Sequence, residues 1–133
     1  MIFYGYASVF EIKDSQNDVV LQGAFNGVIK NIKNIPLLWQ HRQNKQIGNI
    51  MSLYQDNYGL YVKCFIDENN TNNKFICNKI KKGVLSLSIG YQINSAYIDN
   101  ETNTRYLTKI DLIEVSIVSF GANPLAKISL LSG

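Results

Sequence analysis

The sequence predicts a mostly β protein with minor α, a barrel-like antiparallel sheet carrying one main helix and a short second helix. Three observations predict it. Apolar or alternating runs rich in β-branched and aromatic residues recur along most of the chain. Clusters of Asp, Asn, Gly and Ser punctuate those runs. Only one stretch, Phe75, Ile76, Cys77 and Ile80, joins an apolar stripe of helical period to a natural stop, Gly83.

The elements follow in order. Residues 2–10 read as a first strand, and 13–18 as a polar turn that includes Asp14 and Asp18. A short apolar run at 19–21 leads to Ala24, Phe25, Val28, Ile29 and Ile32, whose spacing predicts the short helix despite Gly27. Residues 35–39 read as a strand, and Pro36 places its start at a sheet edge. Residues 47–55 and 60–66 form a hairpin around Asp56-Asn57-Tyr58-Gly59. The main helix spans 73–82. Strands follow at 84–93 and 106–120, with a turn at 100–103 between them and a last strand or tail at 125–131. No repeat, low-complexity segment or second domain interrupts this order.

Composition narrows the function classes. A chain of 133 residues suits one compact domain. The net charge of +3 is small, and the one basic cluster, Lys79, Lys81 and Lys82, reads as a solvated helix end rather than a nucleic-acid footprint. With one histidine and two cysteines outside any CxxC pair, no zinc site is expected, and Cys64 and Cys77 read as reduced, buried thiols. No segment has the pattern of a signal peptide or the apolar length of a membrane span. The expectation is a soluble protein of a reducing compartment, without metal or cofactor.

Three positions could carry chemistry. His41, the only histidine, ends an apolar strand and opens a polar loop, where imidazole could act near neutral pH or simply be idle. In the strand Val84-Leu85-Ser86-Leu87-Ser88-Ile89-Gly90-Tyr91, a period of two places Val84, Ser86, Ser88 and Gly90 on one face. That face could admit a peptide, or simply meet solvent, and periodicity does not separate Ser86 from Ser88. Glu114 lies within Ile110-Asp111-Leu112-Ile113-Glu114-Val115-Ser116-Ile117-Val118, sharing a face with Leu112, Ser116 and Val118. A carboxylate there is costly unless paired, for example with a histidine it orients. The alternative is an edge-strand charge. Asp111, on the other face and nearer the strand start, ranks second.

Five stretches in order resemble the HK97-type prohead proteases of tailed bacteriophages. They are Gly5 to Phe10, Asp18 to Phe25, Pro36 to His41 followed by Ile47-Gly48, Leu87-Ser88-Ile89-Gly90-Tyr91, and Glu114 to Val118 followed by Ala122-Asn123-Pro124 and Ala126. The resemblance covers nearly the whole chain, and so implies a single prohead protease domain over residues 1–133. It implies a closed β-barrel of the herpesvirus-protease type. It carries the family nucleophile onto Ser88, with Ser86 standing where the family commonly has a small residue such as glycine. It carries the general base onto His41, and the acidic third member onto Glu114. The loop containing Gly121 and Ala122 is implied as an oxyanion site by analogy with the herpesvirus relatives, with Gly121 free to take an unusual backbone angle.

The implied activity is serine endopeptidase, cutting the scaffold segment of a phage major capsid protein and also itself. It would act inside the assembling prohead in the bacterial host cytoplasm, as a homodimer or higher oligomer, with no nucleic acid or membrane partner. The competing reading is a catalytically inactive capsid-assembly or scaffold-peptide-binding β domain of the same fold.

Overall fold

The structure is a computed structural model that describes residues 1–25 and 32–130. The described strands are β1 (Ile2–Val9), β2 (Asp18–Val20), β3 (Leu37–Trp39), β4 (Gln46–Gln55), β5 (Gly59–Phe65), β6 (Ser86–Asp99), β7 (Thr104–Val118) and β8 (Ser129–Leu130), with helix α1 (Lys74–Lys81) between β5 and β6. Short 3-10 turns occupy Ile32–Asn34 and Thr71–Asn73. The short helix expected over 24–32 lies largely outside the described residues.

The strands join in the order β2-β7-β3-β4-β5-β1-β8, and β6 pairs with β7. The long hairpin β6–β7 is the spine. Because β6 follows β7 along nearly its whole length, β2 and β3 share the other edge of β7, at residues 105–107 and 115–117. Both short strands run parallel to β7, so the sheet is mixed rather than antiparallel throughout. Nor is it a closed barrel. Among the described residues the far end, β8, is two residues long and pairs only with β1. Beside it, β6 is reached by the single bridge Ser86–Lys127 and by the Leu87 N–H donating to the Ala126 carbonyl at 2.8 Å, too little for a closing ladder.

The edge position expected for β3 is also corrected, since β3 lies between β7 and β4. Pro36 is tolerated because it precedes the strand, where only its carbonyl is needed, and that accepts the Val115 N–H at 3.1 Å. The hairpin β4–β5 turns at Asp56, whose Oδ1 accepts the N–H groups of Tyr58 (2.7 Å) and Gly59 (3.0 Å).

Two hydrophobic clusters fill the interior. The larger includes Phe3, Leu37, Val62, Leu87, Val115 and Ile117, capped by Ile76, Cys77 and Ile80 of α1. The smaller gathers Phe10, Val20, Phe25, Leu60, Leu107 and Ile110. Each fully buried Leu, Ile or Phe contributes about 1.5–3 kcal/mol. Phe75 leaves the predicted stripe of α1: it is 59% exposed, edge-on to Trp39 and beneath the Lys79 ammonium. Gly83, at φ 72°, ends the helix in the left-handed conformation that glycine adopts without strain. Both cysteines are free and buried, and burial pushes the Cys64 thiol up to about 12. Among the described residues no helix is long and apolar enough to cross a membrane.

Asp14 and Asp18 divide the work expected of the first turn. Asp14 Oδ1 accepts the N–H groups of Gln16 (2.8 Å) and Asp18 (2.9 Å). Asp18 is no turn cap; its carboxylate is 1% exposed and takes a forked pair of bonds from Arg105, Nε at 2.7 Å and Nη2 at 2.9 Å. Tyr91 donates a third at 3.2 Å. Arg105→Met therefore leaves a buried carboxylate short of donors and should cost about 2–3 kcal/mol in denaturant unfolding. Adding Asp18→Asn should recover part of that loss. A double variant as unstable as the two single losses added together would refute the pairing as the cause.

Candidate active site

The site forms where β3 ends beside β6 and β7. After Trp39 the chain turns sharply, and both Gln40 (φ 52°) and His41 (φ 60°) take the left-handed conformation. For non-glycine residues this costs about 1–2 kcal/mol each, so neighbours must hold it. The Gln40 N–H donates to the Ile117 carbonyl at 3.0 Å. The Gln40 side-chain amide brackets Ser119, donating to its Oγ (2.7 Å) and accepting its backbone N–H (3.3 Å). The His41 N–H donates to Ser116 Oγ at 3.1 Å. The imidazole is thereby swung over the neighbouring strands.

The hairpin register supplies its partners. Ser88 faces Ser116 across β6–β7, and Gly90 faces Glu114. His41 Nε2 lies 3.1 Å from Ser88 Oγ, and His41 Nδ1 lies 2.5 Å from Glu114 Oε1. The other carboxylate oxygen, Oε2, accepts a short hydrogen bond from the Ser116 hydroxyl. A Cβ at Gly90 would overlap the Glu114 carboxylate, so glycine there makes the space that the carboxylate fills.

Burial grades across the constellation. Glu114 and Ser116 are buried, Ser88 is 8% exposed, and the His41 side chain is 44% exposed. Nδ1–H facing the carboxylate leaves Nε2 as the acceptor toward the serine hydroxyl. The hydrogen bond that His41 donates to Glu114 raises the pKa of His41 above its ordinary value, against the opposing effect of partial burial. Hydroxyl, imidazole and carboxylate in this sequence are the parts of nucleophilic acyl transfer: nucleophile, base and orienting acid.

The remaining candidates fall elsewhere. Ser86, on the same face, does not bond to His41; it pairs with Val118 and lies against Gly121. Asp111 is exposed and accepts from the Asn94 amide at 2.9 Å, away from the imidazole. Phe120 and Ala122 line a cavity of about 220 Å³ together with Ser88 and His41. Gly121 does not use its freedom to go left-handed: only Gly23 and Gly83 among the described glycines have positive φ. Close approach accounts for it, since a Cβ there would come within 3.1 Å of Ser86 Cβ and 3.2 Å of the Leu87 carbonyl oxygen. The loop is pinned by the Ser15 N–H donating to the Ala122 carbonyl (3.0 Å) and the Asn123 amide donating to the Val9 carbonyl (3.1 Å).

Ser116, Gln40 and Gly90 support the site, and residue-by-residue reading assigned them no task. For Ser116 a clue existed, since alternation puts it on the face of Glu114. Gly90 likewise shares the face of Ser88. Gln40 offered none, because its bracket depends on a turn that brings it to residue 119.

A family profile described as "Caudovirus prohead serine protease" matches residues 1–132. The chain is 28% identical over 134 residues to the prohead protease of Enterobacteria phage HK97, covering 98% of this chain and 60% of the relative. To the prohead protease of Escherichia phage T5 it is 32% identical over 123 residues, covering 90% and 57%. The chain thus spans about 60% of the length of these curated relatives. The fold is similar to that of KSHV protease in complex with a hexapeptide phosphonate inhibitor, with a TM-score of 0.66 at 11% identity over 99% of this chain and 65% of that one. It is also similar to varicella-zoster virus protease, with a TM-score of 0.51 at 11% identity over 96% and 62%. At that identity these structures speak to the fold alone, which is mostly β with one helix. On the match along residues 1–132, the chain belongs to the caudovirus prohead serine protease family.

Proposed function

We propose that this chain is the catalytic domain of a serine endopeptidase of capsid maturation, and that Ser88, His41 and Glu114 are its catalytic residues. The single observation that carries this reading is the unbroken chain of contacts from Ser88 Oγ through both ring nitrogens of His41 to the buried Glu114 carboxylate. His41 Nε2 takes the Ser88 proton as Oγ attacks a peptide carbonyl, then delivers it to the leaving amine. Water deacylates the enzyme by the same route. Glu114 holds the tautomer and stabilises the imidazolium. Gly121 and Ala122, in the loop beside the cavity, are the proposed source of oxyanion N–H donors. The substrate class that fits a prohead protease is the scaffold segment of a major capsid protein within the assembling prohead, and the protease itself.

Fluorophosphonate labelling with mapping of the labelled peptide tests the reading. Label on the peptide at Ser88, lost in Ser88→Ala and His41→Ala but retained in Ser86→Ala, is expected. Label that survives Ser88→Ala would remove the assignment, and a folded wild-type protein that takes no label and cuts no capsid–scaffold precursor would favour the binding-domain alternative.

The raised pKa of His41 sets the pH profile. A general base must be neutral, and Glu114 keeps the ring protonated to higher pH. The acid limb of kcat/KM should therefore lie above pH 6.5, the ordinary imidazole value. Glu114→Gln should move that limb toward the ordinary value and lower kcat by about 10³–10⁴-fold. An unmoved limb would demote Glu114 to a structural charge. The same pairing stabilises the fold while His41 is protonated, so its contribution is full below the unfolded pKa and fades as pH rises through the higher folded one.

Ser116→Ala removes a hydrogen bond donated to the carboxylate and one accepted from the His41 backbone N–H. With Ser116 acting as a positioning residue, kcat should fall about tenfold, the worth of one such bond, with KM unchanged. A rise in KM at constant kcat would contradict that role.

A further inference from the structure

The segment that follows His41 lines a second recess, of about 530 Å³, which shares no lining residue with the one at Ser88. Trp39 and Phe75 give it aromatic surface, Arg42 and Lys45 give it charge, and Asn44 and Asn72 are among its neutral polar residues. Among the described residues no Asp or Glu lines it. The loop that carries both cations is held by its own backbone. The Trp39 N–H donates to the Lys45 carbonyl (2.9 Å), the Arg42 N–H to the Trp39 carbonyl (3.0 Å) and the Lys45 N–H to the Arg42 carbonyl (3.0 Å). Neither Arg42 nor Lys45 forms an ion pair among the described residues. The carboxylates that precede this side of α1 are committed: Asp67 Oδ1 accepts the Asn69 N–H at 2.9 Å, and Glu68 holds Lys81 at 2.8 Å.

Phe75 is the member of the α1 apolar stripe that stays out of the core, and this recess is where it goes. A large ring left in water beside unpaired cations is surface that a partner can bury while neutralising the charge. The geometry of the rings narrows the partner. Phe75 stands edge-on to Trp39, with centroids 6.4 Å apart at 85°, and the Lys79 ammonium sits 4.8 Å from its centroid. Successive nucleic-acid bases need parallel ring faces along a continuous basic track, and perpendicular rings with two lining cations do not provide them. A second copy of this chain fits poorly as well. Its ten carboxylates are dispersed, and the only adjacent pair is Asp67-Glu68, of which Glu68 is already taken. A separate chain with closely spaced carboxylates complements the recess in charge, and arginine grips a carboxylate through two N–H groups at once.

We propose that this recess is a docking site for an extended, acidic peptide segment of a partner chain. Arg42 and Lys45 pair with its carboxylates, and Trp39 and Phe75 receive an apolar side chain between them. The proposal goes beyond the protease reading and stands apart from it, because this binding uses neither Ser88 nor the His41 imidazole.

The test uses the whole chain carrying Ser88→Ala, so that no probe is cut. The probes are a fluorescein-labelled peptide that alternates Glu with Leu and Gly, its counterpart with Gln for Glu, and an oligothymidylate of equal length. Anisotropy should show the Glu peptide binding about tenfold or more tightly than the Gln peptide, and raised salt should weaken it severalfold. Trp39 is the only tryptophan, so its emission should change on titration with unlabelled Glu peptide and saturate at the same midpoint. Arg42→Gln with Lys45→Gln, both exposed, should lose about fivefold or more, since each exposed ion pair is worth a factor of about two to five. Lys109→Gln with Lys127→Gln makes the same charge change on exposed residues outside the recess and should leave binding within about twofold. Phe75→Ala should weaken the Glu and Gln peptides by the same factor, because it removes apolar contact and no charge. No binding of the Glu peptide, equal binding of the Glu and Gln peptides, equal losses in the two double variants, or tighter binding of oligothymidylate would each overturn the assignment, and none of these results bears on the protease reading.

Discussion

Glu114 is 2% exposed, and an ionised carboxylate that far from water is stable only when donors take up its oxygens. Each surrounding feature answers that demand. Oε1 meets His41 Nδ1, Oε2 meets the Ser116 hydroxyl, and Gly90 across the hairpin leaves the volume the group occupies. Ser116 then accepts the His41 backbone N–H, so one buried serine fixes both the carboxylate and the chain that carries the imidazole. Ser88 enters through the same register, facing Ser116. Without the carboxylate, the imidazole would lose the partner that sets its tautomer, and the left-handed turn at Gln40 and His41 would hold the ring over nothing that orients it.

The hairpin β6–β7 makes this possible because β7 offers two edges. One is filled by β6, which carries the serine. The other takes β2 near residues 105–107 and β3 near 115–117. The parallel pairing of β3 is what brings the end of a strand, rather than a loop between strands, alongside Glu114. A purely antiparallel barrel would not require it. The departure from that expected architecture lies where the sheet meets the site on one side and where, among the described residues, β8 pairs with β1 alone on the other.

The Asp18–Arg105 pair plays a supporting part at the opposite end of β7. It ties the first turn to β7, and Tyr91 of β6 joins it from the strand that also carries Ser88. That turn presents Asp14 to the cavity that Ser88 and His41 also line. The Asp18–Arg105 pair, with its carboxylate buried and its guanidinium partly exposed, thus helps to hold that turn in place.

Much of this was legible from residue order. The hairpin around Asp56, the helix stopped at Gly83, the strand carrying Ser86 and Ser88, and the burial of Cys64 and Cys77 follow from periodicity, turn chemistry and composition. Ordered stretches along the chain also pointed to the family. What alternation supplies is a face, never a neighbour: Ser86 and Ser88 share a face, and Glu114 and Asp111 differ only by one. Contact among residues 41, 88 and 114 depends on cross-strand register and on a turn in which two non-glycine residues go left-handed, and neither has a local signature. The same limit explains Pro36, which reads as an edge marker although β3 is interior, and Asp18, which reads as a turn residue although Arg105 claims it from the neighbouring strand β7. By itself the sequence determined the elements, the residue types available for chemistry and the family. The family resemblance singled out Ser88, His41 and Glu114, but only the tertiary structure supplied their contacts and decided which aspartate faces the cavity, because contacts between segments tens of residues apart have no local signature.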